Sequence, residues 1–68
     1  MKKKELNIIA GTQLRRLREG MGITQKELAA ELTKYGFSVK QVSISRYEKA
    51  TVSVPAAIII ATKLIRGY

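Results

Sequence analysis

From Leu6 to Met21 the apolar residues Leu6, Ala10, Leu14, Leu17 and Met21 recur every three or four positions, the period of one stripe on an amphipathic helix. The stripe predicts a first helix over 6–21, stopped by Gly22. Thr24-Gln25-Lys26-Glu27 then has the form of a capping box, in which the Thr24 hydroxyl accepts from the Glu27 amide and the Glu27 carboxylate reaches back to the Thr24 amide. Ile23 is placed to staple onto Leu28, and Leu28, Ala29, Leu32 and Tyr35 give the second helix its apolar face. Gly36 supplies a left-handed residue to end it, and Phe37 an apolar side chain to fold back on the last turn.

Ser38-Val39-Lys40-Gln41 repeats the capping-box form and predicts a third helix over 38–49. Inside it Val42-Ser43-Ile44-Ser45 alternates like a strand. A lone short strand in a helical chain would leave its backbone groups without partners, so the helix is the better reading. Ala50 to Ser53 lead to a fourth helix that runs to Arg66, with Ser53 or Val54 as cap and Pro55 in the first turn. Its apolar residues exceed what one face needs: Ile58, Ala61, Leu64 and Ile65 serve the core and leave Ile59 or Ile60 over. The pattern therefore predicts a compact all-α domain over 1–68, of four helices or at most five, with residues 1–5 as a flexible basic N-terminal arm.

Charge narrows the partners. Thirteen Lys and Arg against five acidic residues give a formal charge of +8, which spreads positive potential over so small a surface and favours polyanions. The chain has no Cys and no His, so the usual disulfides, zinc ligands and acid-base catalysts are missing. No catalytic residue, metal or cofactor is expected, and the chain does not read as an enzyme. MKKKELN is followed by no long apolar run, so neither a signal peptide nor a membrane span is expected. A cytoplasmic prokaryotic or phage protein fits best.

Two short capped helices followed by an apolar one describe a helix-turn-helix within a bundle. GTQLRRLREGMGITQKELAAEL (Gly11 to Leu32) with VSISRYEK (Val42 to Lys49) resembles the Cro and phage-repressor type, or lambda-repressor-like, helix-turn-helix domains. TQKELA and ISRYE carry most of the likeness. The resemblance implies sequence-specific binding to double-stranded DNA, with helix 38–49 in the major groove. It implies base-edge contacts at Gln41, Val42 and Arg46, flanked by Lys40 and Ser43, and a phosphate contact at Gln25. It also implies an ion pair between Arg18 and Glu48 that joins the first helix to the end of the third. The sequence departs from the compact members of this family in a turn lengthened by TKYGF (Thr33 to Phe37). It ends at Tyr68, with no room for the fifth helix through which such domains often dimerise.

The side chains suit that reading on their own chemistry. Arg46 can donate twice to guanine, Gln41 can pair both ways with adenine, and Val42 offers an apolar contact to a thymine methyl. The short Ser43 and Ser45 allow a deep seat in the groove. Thr24 and Gln25, at the positive end of the second helix, can hold a phosphate through backbone amides, with Lys26 and Lys49 adding charge. The surplus at Ile59, Ile60 and Tyr68 suggests a homodimer through the C-terminal helix. A transcriptional repressor is the leading expectation. The alternative is an antitoxin or modulator that acts by binding a protein partner through that apolar helix.

Overall fold

The computed structural model of the chain describes residues 2–67, so Tyr68 lies outside the described residues. It contains four helices: α1 (Lys3–Gly20), α2 (Gln25–Lys34), α3 (Gln41–Glu48) and α4 (Ala56–Arg66). Among the described residues there is no strand, and Val42 to Ser45 lie inside α3. Leu14, Leu28, Leu32 and Ile44 are fully buried, and Ala29, Val39, Ile58 and Ala61 complete the core. Each helix supplies at least one of these side chains, so the core forms only when all four assemble. Thr62 is buried among them, its hydroxyl donating to the Ile58 carbonyl at 2.7 Å.

Three of the four helix C-terminal ends are closed by the same device. After α1, Gly22 at φ +69° sends its amide to Glu19 and Ile23 sends its own to Arg18. After α2, Gly36 at φ +92° does so to Thr33 and Phe37 to Leu32. After α3, Ala50 and Thr51 bond back to Tyr47 and Arg46. Each is a paired closure of orphan carbonyls around one left-handed residue. At Ala50, φ +60° is adopted by a residue with a Cβ.

The structure departs from the sequence pattern at the ends of elements. Lys3, Lys4 and Glu5 form the first turn of α1 instead of a flexible arm, with Glu5 and Leu6 donating to the Lys2 carbonyl and Glu5 complementing the positive helix end. Leu6 is exposed, because this part of α1 runs past the core. Tyr35 is exposed as well, being the residue where α2 ends. The second capping box does not form: α3 begins at Gln41 with Lys40 as its cap and no side-chain cap bond. Val39 is drawn into the core and its amide turns to the Phe37 carbonyl at 3.0 Å, so the backbone is still turning where a helix was expected. Pro55 is the cap of α4 and not its first residue. Leu64 is exposed, while Ile59 packs on the core.

Candidate nucleic-acid interface

Successive helical residues turn by about 100°, so Gln41, Val42, Ser45, Arg46 and Lys49 fall on one stripe of α3 about 140° wide. Ile44 lies on the opposite side and is fully buried, with Tyr47 packed on the core beside it. Gln41, Arg46 and Lys49 are exposed and Val42 is 54% exposed, too open for a core side chain. Ser45, half-buried, sits mid-stripe and presents the least bulk there. Ser43 is half-buried at the flank, and Lys40 is exposed at the cap. The sequence-expected set is thus divided: Gln41, Val42 and Arg46 share the stripe with Ser45 and Lys49, while Lys40 and Ser43 border it. Among the described residues no carboxylate pairs with Lys40, Arg46 or Lys49.

The inward side of α3 is held by charge as well as packing. Arg18 donates from Nε to Glu48 Oε2 at 2.7 Å and from Nη2 to Oε1 at 3.0 Å, and its Nη1 donates to the Ile23 carbonyl at 2.9 Å. The Arg18 and Glu48 side chains are only 14% and 5% exposed. Hydrogen bonding to Glu48 raises the Arg18 guanidinium above its ordinary pKa, outweighing the opposing effect of burial. Gln25 joins the group, donating from Nε2 to Glu48 Oε1 at 3.2 Å. Its side chain therefore ties the start of α2 to the end of α3.

The start of α2 is capped as its sequence indicates. The Glu27 amide donates to Thr24 Oγ1 at 3.1 Å and the Thr24 amide to Glu27 Oε1 at 2.9 Å, which holds the Glu27 carboxyl below the usual range. This uses the Thr24 hydroxyl. The amides of Gln25 and Lys26 remain as first-turn donors at the positive helix end, with exposed Lys26 beside them. Gln25 also bonds to the last residue of α3, which brings this anion-attracting end and the open stripe of α3 onto neighbouring parts of the surface.

One structural residue escaped the sequence reading. Gly11 is buried in α1 against α3, and a Cβ there would collide with the Tyr47 carbonyl oxygen. The available signal was glycine itself, which costs about 1 kcal/mol in a helix interior and so asks for a packing reason.

No helix among the described residues is long and apolar enough to cross a membrane. No curated protein and no solved structure matches the chain. A helix-turn-helix family profile matches residues 14–65, the span that holds the Arg18–Glu48 pair, the α2 cap and the stripe of α3. The chain belongs to the DNA-binding helix-turn-helix family of Cro/C1 type, with a lambda-repressor-like all-helical fold.

Proposed function

We propose that the chain is a cytoplasmic transcriptional repressor that occupies a specific duplex operator, with α3 in the major groove and the start of α2 against the phosphate backbone. The observation that carries this reading is the open stripe of α3, whose opposite side is fixed by Ile44 and by the Arg18–Glu48 fork. A helix so anchored presents Gln41, Val42 and Arg46 to base edges at little conformational cost. Lys40 and Ser43 border those contacts, and Ser45 leaves clearance. Lys26, Lys49 and the amides at Gln25 supply the sequence-independent grip on phosphate.

The test is selection of bound duplexes from a random pool, with affinity then measured over a salt series. A shared motif supports operator recognition. Equal binding of every sequence, with only a salt slope, overturns it.

The reading includes a homodimer through α4. Ile60 and Leu64 are 58% and 64% exposed one turn apart, and with Tyr35, Phe37, Ala57 and Ala61 they line a groove of about 300 Å³. Two copies joined there would read half-sites about one helical turn of DNA apart. Sedimentation showing a monomer, free and DNA-bound, removes the dimer. The same groove favours the second reading, an antitoxin or modulator that holds a protein partner on α4. That reading requires a bound partner that changes DNA affinity.

A further inference from the structure

The far side of α1 carries positive charge for which duplex binding gives no account. Ile8, Ile9, Gln13, Arg16 and Leu17 of α1, with Arg66 from the end of α4, line a cavity of about 510 Å³. Ile8 and Ile9 are about half exposed, so its wall is apolar and open to water. Arg66 reaches over the last turn of α1, where a methyl added to Gly20 would stand 3.6 Å from the guanidinium carbon. Among the described residues neither Arg16 nor Arg66 makes an ion pair, whereas Arg15, Arg18 and Lys34 each do. Among the described residues no acidic side chain lines the cavity.

Its direction matters. Gly11 and Arg18 of α1 both meet α3, and Arg16 lies about 140° and 160° around the helix from them. The cavity therefore faces away from the recognition helix, and a duplex seated on α3 does not cover it.

We infer that this cavity is a docking site for an acidic amphipathic helix of a partner protein, its apolar ridge on Ile8, Ile9 and Leu17 and its carboxylates on Arg16 and Arg66. The charge complementarity selects the occupant. A second copy of this chain would bring thirteen basic residues and only five acidic ones to a surface that is already cationic. A small free anion would satisfy the guanidinium groups and leave the apolar wall wet. An apolar helical ridge flanked by Glu or Asp fits both features, in the manner of helix-in-groove recognition. Because the site is turned from the duplex face, the partner and DNA bind together.

The test uses the full chain and two labelled peptides of designed helical sequence, one with Leu at every third and fourth position flanked by Glu, the other with each Glu replaced by Gln. Fluorescence polarisation is read for wild type, for Arg16→Ala with Arg66→Ala, and for Lys26→Ala with Lys49→Ala, which removes equal charge elsewhere. The expected result is saturable binding of the Glu peptide that weakens about tenfold both for the Gln peptide and for the Arg16/Arg66 variant. It stays within about twofold for the Lys26/Lys49 variant and in the presence of saturating duplex. Melting curves show the arginine variant folded. Absence of saturable binding below about 1 mM, equal affinity for the two peptides, equal loss in both variants, or displacement by duplex overturns the proposal.

Discussion

Arg18 grips Glu48 with two donors, at 2.7 and 3.0 Å, across thirty residues of sequence, and lends its third nitrogen to the Ile23 carbonyl. One guanidinium thus joins α1, the approach to α2 and the end of α3. Such a pair contributes modest net stability, since both charges lose water when they meet, but removing one partner strands the other in a nearly dry site. Glu48→Ala is expected to cost about 3–5 kcal/mol, most of the stability of a domain this small. A thermal melt measures it. A curve superimposable on wild type would refute the structural role given to the pair.

Gly11→Ala should also destabilise, although alanine is the better helix former. The added Cβ meets the backbone carbonyl of Tyr47, which no rotamer change can relieve, so α1 and α3 must move apart. Overpacking of this kind costs about 1–3 kcal/mol. The matching measurement is urea denaturation, with a lower midpoint and an unchanged slope.

Ala50→Gly should move stability the other way. A non-glycine residue in the left-handed region loses about 1–2 kcal/mol, and Ala50 sits at φ +60°. Glycine relieves that strain but gains freedom in the unfolded chain, leaving a net gain of about 0.5–1 kcal/mol. For a chain of this length that is a rise in Tm of a few degrees.

The α2 cap carries a pH signature. The Thr24 amide and hydroxyl hold the Glu27 carboxyl below its usual pKa, so the unfolded chain binds this proton more readily than the folded one. The stabilising contribution is present above the unfolded pKa of about 4.3 and is lost as pH falls through the lower folded value. The stability gap between wild type and Glu27→Gln should therefore narrow as pH falls below the unfolded value of about 4.3. Melting curves on either side of that value check it, and a gap that widens on acidification contradicts the assignment.

On the proposed duplex face, Arg46→Ala and Lys26→Ala should behave differently. Loss of a bidentate base contact costs about 1–3 kcal/mol and relaxes preference at one position, whereas loss of a phosphate contact weakens all sequences alike and lowers the salt slope by about one. Competition binding with a panel of single-base variants separates the two.

Features written within four residues were legible where the rest of the fold did not override them, and the long-range Arg18–Glu48 pair was legible only through the family resemblance. The Thr24–Glu27 box and the left-handed turns at Gly22 and Gly36 depend on neighbours along the chain, and they stand where the letters put them. Ser38 to Gln41 spells the same box, yet burial of Val39 outweighs the cap and α3 starts later. Leu6 and Leu64 keep the helical period but lie where no other helix covers them. Periodicity tells which residues share a face, not where the opposing surface stops. The stripe of α3 was readable because Ile44 fixes the rotation of the helix. The place of Gln25 beside Glu48 was not, because it depends on how the ends of α2 and α3 meet.

Gly11 and Arg18 stand seven positions apart on α1, about two turns, one setting how near α3 can come and the other how it is tethered. A helix with no base to touch in the proposed complex thus acts as the gauge for the one that reads. If α3 reads an operator as proposed, exchanging α1 for a helix with a different spacer at position 11 is expected to re-aim α3 and alter the chosen sequence without changing a letter of Gln41 to Glu48.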